Sequence, residues 1–246
     1  MYRFFIDENQ VNEDEIIIVG SDVNHISNVL RLKLSDTISL CNQKGTDYIC
    51  TIVSLTKEEI HCRIIEQGQI KSELPIQITL VQGAPKQEKM ELIIQKSVEL
   101  GVFQIMPVEM KRSIVKYDDK KVDKKLERWQ SIAEAAAKQA KRGIVPKIIP
   151  FQSWKKTLEQ LKHFDKVIVP YEHEEGISRT RDIFSQLKKS DSIAIVIGPE
   201  GGFDESEIAD LVGINAITVS LGNRILRTET AGFAAIAMIV YQTEEA

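Results

Sequence analysis

The sequence is poor in the residues that most enzyme chemistries demand. Its 246 residues hold four histidines and three cysteines. The histidines stand in no ligand spacing, and His173-Glu174-Glu175 lacks the second histidine of an H-E-x-x-H helix. Cys41, Cys50 and Cys62 form no C-x-x-C pair and read as reduced thiols in a strand-rich core. No metal site is therefore expected. Aromatic residues are only 6% of the chain, too few for a broad platform that stacks single-stranded nucleic acid. The first residues lack a charged-then-apolar leader, and the longest apolar stretch, residues 231–241, is too short to span a bilayer. A cytoplasmic protein is the expectation. A dinucleotide G-x-G-x-x-G, a phosphate-loop G-x-x-x-x-G-K-[ST] and a G-x-S-x-G elbow are all missing.

Positive charge is scarce overall but not evenly so. The net charge of −4 argues at first against a nucleic-acid partner. Residues 1–72 carry 7 Lys/Arg against 11 Asp/Glu, residues 83–147 carry 15 against 9, and residues 148–246 carry 10 against 15. A basic stretch inside an acidic protein points to a localised anionic partner. Within it, Lys120, Lys121, Lys124 and Lys125 alternate with acids and read as a solvated helix face. Lys138, Lys141 and Arg142 instead share one face opposite an alanine-rich stripe, and with Lys111 and Arg112 they are candidates for clamping phosphates.

Two regimes of periodicity divide the chain. Residues 1–67 read as short strands at 15–19, 37–40, 48–53 and 59–65, with a short helix capped by Ser21, which suggests a small barrel. The segment 68–75 has turn residues and no periodicity, so domains are expected at 1–70 and 74–246. Beyond it, strands at 76–81, 103–108, 166–169, 192–197 and 216–221 alternate with helices at 86–100, near 120–142, after a capping box at Asp204 and Glu207, and from about Glu229. The last helix is apolar nearly all round, so it needs cover on most sides, part of it from a second subunit.

Glycine is concentrated where it is most informative. Ile197-Gly198-Pro199-Glu200-Gly201-Gly202-Phe203 and Leu221-Gly222-Asn223-Arg224-Ile225-Leu226-Arg227-Thr228-Glu229 each follow a β-branched run and precede a helical pattern. In an α/β sheet such loops lie at the carboxyl ends of strands, where ligands bind. Together they predict a small pocket lined mainly by backbone.

These two segments resemble the signatures of the bacterial small-subunit (16S) rRNA uridine-N3 methyltransferases, the RsmE family of the SPOUT superfamily. The resemblance extends to Met1-Tyr2-Arg3-Phe4-Phe5, His25-Ile26-Ser27-Asn28-Val29-Leu30-Arg31, Lys96-Ser97-Val98-Glu99-Leu100-Gly101-Val102 with Pro107, Arg112-Ser113, and Gln139, Arg142 and Pro146. It implies a PUA-like β-barrel followed by an α/β domain, a parallel sheet flanked by helices and tied in a deep trefoil knot. Connection rules alone would predict an unknotted doubly wound sheet. The implied cofactor is S-adenosylmethionine, held against Val169, Tyr171, Ile197, Gly198, Glu200, Gly201, Gly202, Leu221, Gly222, Ile225 and Leu226. The implied partners are 16S rRNA, in an assembled or assembling small subunit, and a second copy of the chain.

Methylating uridine N3 requires that its proton leave, so a base or a charge that steadies the uracil anion is needed. Arginine stays protonated, which makes Arg227, Arg112 and Arg3 catalytic candidates as anion stabilisers rather than bases. Glu200 and Glu229 are candidate bases, with loop rigidification and helix N-terminal charge as their simpler roles. The RNA-facing candidates are Arg3, Arg31, Lys111, Arg112, Lys138, Lys141 and Arg142. Three alternatives stand beside this reading: ribose 2′-O methylation by a similar knotted domain, a non-catalytic RNA-binding module, and an NAD-type oxidoreductase, the last disfavoured by its missing fingerprint.

Overall fold

The computed structural model describes residues 1–86, 89–113, 119–174 and 176–244, with the backbone alone at 119–121. Contacts divide the chain into two units, Met1–Glu73 with Ala137–Val145 and Leu74–Ala136 with Pro146–Ala246. The short return of 137–145 to the first unit leaves no mark in hydrophobic periodicity, and a linear division does not capture it.

The first unit is a curled, mixed six-stranded sheet. Its strands are β1 (Arg3–Phe5), β2 (Val11–Asn12), β3 (Glu15–Val19), β4 (Thr37–Cys41), β5 (Thr46–Leu55) and β6 (Glu59–Gln69), in the order β1-β4-β5-β6-β3-β2. Alternation builds its core. Ile16 and Ile18, Ile38 and Leu40, Cys50 and Ile52, and Ile60 and Cys62 all point inward at period two. The cysteines are free, and burial pushes the Cys50 and Cys62 thiols up to about 12, which makes them inert core residues. Strand β1 runs parallel to β4, with Phe4 opposite Leu40, a long-range pairing that no local pattern announces. The helix expected to be capped by Ser21 is only four residues, α1 (Ser21–Asn24), with Gly20 rather than Ser21 at its N-cap and no side-chain cap bond, and passes into a wide turn over His25–Val29 that buries Ile26.

The second unit is a parallel sheet with helices packed on it. It comprises β7 (Gln77–Gly83), α2 (Lys89–Glu99), β8 (Gln104–Glu109), α3 (Asp119–Gln139), β9 (Lys147–Ile148), β10 (Gln152–Ser153), α4 (Trp154–Leu161), β11 (Lys166–Pro170), α5 (Ile177–Ser185), β12 (Ser192–Ile197), α6 (Glu205–Gly213), β13 (Ile217–Val219) and α7 (Thr228–Thr243). The last turn of α3 counts with the first unit. The main strand order is β10-β8-β7-β12-β11-β13, and β9 pairs with β8. Strands β7 and β12 are buried on both faces, hence their near-continuous runs of Ile, Val, Leu and Ala. Helix α2 buries Met90, Ile93, Ile94 and Val98. Helix α6 starts with the capping box, the Asp204 carboxylate accepting from the Ser206 N–H and Glu207 accepting from the Asp204 N–H. Bonds from Ser206, side chain first and then backbone, and from Lys111 hold the Asp204 carboxyl down at about 2. Helices α4 and α5 are absent from the sequence-based expectation, although Trp154, Leu158 and Leu161 line one face of α4 at helical spacing.

The chain leaves edge strand β13 and returns to the middle of the sheet, where α7 packs on β7 and β12 and against α2 and α5. There the Thr228 hydroxyl donates to the Gly198 carbonyl at 2.6 Å, and the Gln82 amide donates to Thr228 at 2.8 Å. This parallel sheet flanked by helices, following a curled N-terminal sheet, is the SPOUT-type architecture that the resemblance implied.

Candidate active site

Strands β12, β11 and β13 are neighbours, and their carboxyl ends lie side by side. Ile168 pairs with Ile195 on one side and Ile217 on the other, and Pro170 pairs with Val219. The loops after the three strands therefore open at one place. They are the segments expected to cradle a cofactor: the one after Val169 and Tyr171, then 198–202 after Ile197, then 221–227. The structure brings all three together.

Each loop is fixed by hydrogen bonds. The Tyr171 N–H donates to the Val219 carbonyl at 3.0 Å. The Thr180 hydroxyl donates to the Ser220 carbonyl at 2.8 Å and accepts from the Ser220 N–H at 3.1 Å. Glu174 accepts from the Thr218 hydroxyl and pairs with Arg179. Gly202 and Gly222 adopt φ of +69° and +104°, the left-handed region that favours glycine. A Cβ at either would make only ordinary contact with a side chain, Glu172 at Gly202 and Arg224 at Gly222, each at 3.8 Å, so neither position is crowded by the described residues. Gly198 differs, because a Cβ there would lie 3.2 Å from the Gly202 backbone and 3.3 Å from Phe203. A side chain there would have to push the loop's own backbone and the Phe203 ring aside by a few tenths of an ångström. The Tyr171 ring stands edge-on to Phe203 at 6.4 Å, giving the cradle an apolar wall. Ile225 is 87% exposed, while Leu221 and Leu226 are half-buried. A backbone-lined, partly apolar cradle of this kind suits a small ligand held mainly by main-chain groups.

Glu200 does not point a free carboxylate at the cradle. It accepts from the Lys86 N–H at 3.0 Å and pairs with Lys89 at 3.1 Å. Burial pushes its carboxyl up, but the bonds from the Lys86 backbone, its own backbone and Lys89 outweigh this and hold it below the usual range. The geometry assigns it to tying down the loop. Arg112 lies over the same loop, its guanidinium donating to the Gly201 carbonyl at 3.3 Å. Its neighbour Lys111 donates to Asp204 and Ser206, and the Lys111 N–H donates to Glu207 at 2.7 Å. Arg227 is the N-cap residue of α7, and its exposed side chain makes no hydrogen bond or ion pair with the described residues.

The cationic candidates in the first unit divide sharply. Arg31 and Lys141 are exposed, each with a positive φ of 55°. Arg3, Arg142 and Lys138 are corrected by the structure. Arg3 is 8% exposed, forks onto Asp47 at 2.6 and 3.1 Å and donates through Nε to the Arg142 carbonyl at 2.9 Å. Arg142 is 3% exposed and forks onto Glu73. Lys138 pairs with Asp22 at 3.0 Å, with its ammonium 5.5 Å from the centre of the Phe4 ring. All three charges are already paired with carboxylates of the first unit. Helical spacing put Lys138, Lys141 and Arg142 on one face, but the chain leaves the helix after Gln139, which separates the exposed Lys141 from the buried Arg142.

Sequence reasoning missed Gln82, Gly83, Lys89 and Thr228. Gln82 and Thr228 form the buried relay to Gly198 described above. A Cβ on Gly83 would lie 2.7 Å from Pro199, so this glycine lets β7 approach the loop. Only Thr228 stood in a segment singled out by pattern, and nothing there marked its hydroxyl.

A family described as an RNA methyltransferase domain matches residues 72–240, and one described as an RNA methyltransferase PUA domain matches residues 18–65. The chain is 42% identical to the ribosomal RNA small subunit methyltransferase E of Bacillus subtilis, over 99% of this chain and 98% of that relative. A crystal structure described as that of a hypothetical protein is similar at a TM-score of 0.92 and 42% identity, covering 98% of each chain. A crystal structure of a ribosomal RNA small subunit methyltransferase E from Neisseria gonorrhoeae bound to S-adenosyl methionine is similar at a TM-score of 0.83 and 33% identity. It covers 98% of this chain and 97% of that one.

Proposed function

The chain belongs to the RNA methyltransferase family that includes the ribosomal RNA small subunit methyltransferases E, and on that premise we propose that it methylates N3 of one uridine in 16S rRNA, using S-adenosylmethionine. The observation that carries the reading is the convergence of three loops at the ends of adjacent strands, with glycine backbone in the cradle and, on the third loop, an arginine with no partner among the described residues. Backbone groups of 170–171, 198–202 and 221–226 hold the cofactor. When bound, it supplies a methyl group already activated by a positive sulfur. The chain has to align uridine N3 with that methyl, and alignment alone contributes several kcal/mol. Arg227 steadies the uracil anion left when the N3 proton departs. Arg112 and Lys111 beside the cradle, with Arg31 and Lys141 in the first unit, serve the RNA phosphates.

Purified protein with labelled S-adenosylmethionine and small subunits or their naked RNA is expected to place one methyl on one uridine base. Mass spectrometry of the digested RNA locates it. Among the described residues, no three His, Cys, Asp or Glu side chains gather into a metal-binding cluster, so a chelator should leave the rate unchanged. Label on a ribose hydroxyl would overturn the N3 assignment in favour of 2′-O transfer. The proposal includes cytoplasmic action on a subunit that is assembled or assembling.

A second copy of the chain completes the proposal. Along α7, Phe233 is half-buried, Ala237 is exposed and Tyr241 is 88% exposed, at successive intervals of four. This apolar stripe is what a symmetric partner would cover. Light scattering at micromolar concentration should give twice the chain mass, and Tyr241→Glu should shift it toward the monomer. A wild-type monomer would sink the dimer.

A further inference from the structure

Two of the cradle loops, 198–202 and 221–227, are separated by α6 and β13 and carry no direct covalent constraint on each other. Something must hold them in register. The buried relay from Gln82 through Thr228 to Gly198 does part of this. A second connection is ionic. Lys89, the first residue of α2, has its ammonium 3.1 Å from Glu200 Oε1 and 3.4 Å from Glu229 Oε2. Glu200 belongs to the second loop, and Glu229 sits in the first turn of α7, two residues beyond the third.

Three features set this cluster apart from an ordinary surface pair. It joins three chain segments, whereas Lys96–Glu99 and Lys162–Glu159 each link residues only three apart in sequence. Its members are sheltered, the Glu229 side chain being only 13% exposed. And Glu229 Oε2 is buried with no hydrogen-bond partner, so the nearby ammonium is what compensates its charge. The hydrogen bond to Glu200 is the main cause that raises the Lys89 ammonium pKa above its ordinary value.

We propose that Lys89 is a positioning residue that latches the second and third loops into one cofactor-competent arrangement, acting through Glu200 and Glu229 and touching no reacting atom. The inference rests on the reading that these loops bind S-adenosylmethionine. Without the ammonium, two carboxylates that share one counter-ion repel, and the loops lose their fixed spacing. Part of the binding energy must then be spent on restoring it, so affinity falls while the chemical step from the bound state is preserved.

The test is calorimetry of S-adenosylmethionine binding together with steady-state kinetics on Lys89→Met, Lys89→Arg and Glu229→Gln. Lys89→Met should weaken binding and raise KM for the cofactor by about tenfold, with kcat at saturation within about threefold of wild type. Lys89→Arg should recover most of the affinity. Glu229→Gln, which removes one carboxylate and still packs, should weaken binding by a few fold, and it serves alone if Lys89→Met fails to fold. Lys89→Met binding within about twofold of wild type, or losing kcat with KM unchanged, would overturn the latch. Absence of binding by the wild-type protein would instead sink the cofactor assignment. The latch would then be judged by amide exchange in 198–202 and 221–227, which Lys89→Met should accelerate about tenfold and which would stay unchanged if the latch were wrong.

Discussion

Arg227→Ala is expected to lower kcat by about 10²- to 10³-fold while S-adenosylmethionine affinity stays within about threefold of wild type. The backbone of Arg227 is held in place, because its successor Thr228 donates to the Gly198 carbonyl and accepts from Gln82. Its own N-cap conformation, φ −65° and ψ 155°, is extended. The side chain is free of partners among the described residues, so truncation should not disturb the fold. What truncation removes is a permanent positive charge on the third loop of the cradle. A charge placed where the uracil anion develops acts on the transition state and hardly on cofactor binding. The rate should rise with pH as the N3 proton becomes easier to lose, and the variant should depend on pH more steeply than wild type. Arg227→Lys should recover part of kcat, since it restores charge but not the planar fork. A variant whose kcat stays within twofold, or whose loss lies wholly in cofactor binding, would remove Arg227 from the chemistry.

Arg142→Ala is expected to destabilise the first unit by about 3 kcal/mol, at the lower end of the cost of breaking a buried ion pair because Glu73 keeps some contact with water. The guanidinium donates through Nε at 2.9 and 3.1 Å and through Nη2 at 2.6 Å to the Glu73 carboxylate. Glu73 Oε1 also accepts from the Gly143 N–H at 2.6 Å. The Arg142 carbonyl in turn accepts from Arg3, which forks onto Asp47. Removing Arg142 therefore leaves one carboxylate uncompensated and loosens the segment 137–145. Charge reversal to glutamate should be worse than alanine. Urea unfolding followed by tryptophan-independent probes of the first unit, such as far-ultraviolet circular dichroism with amide exchange, measures the loss. Lys141→Glu is the control: exposed and unpaired among the described residues, it should leave the unfolding midpoint unchanged and weaken RNA binding at low salt. An Arg142 variant with an unshifted midpoint and reduced RNA affinity would return that residue to the RNA surface.

Elements whose cause is local are legible in the residues alone. Period-two runs placed β3, β5 and β6, and continuous apolar runs placed β7, β11 and β12, because alternation and burial are written in neighbouring residues. The capping box at Asp204 and Glu207 was legible for the same reason, its bonds closing within three residues. The glycine loops were legible too, since positive φ and close approach select glycine whatever the rest of the fold. Only the tertiary structure decided the parallel pairing of β1 with β4, the return of 137–145 to the first unit, and the passage of the chain from β13 back to the middle of the sheet. These depend on partners far apart in sequence, and no local pattern encodes them. The same holds for charge. Arg227 and Arg142 are indistinguishable as letters in a basic or glycine-rich segment, yet one ends exposed at a helix N-cap and the other 3% exposed on Glu73. Whether a charge is available to a ligand depends on which carboxylate the fold brings to it, and that is settled only when the chain has closed on itself.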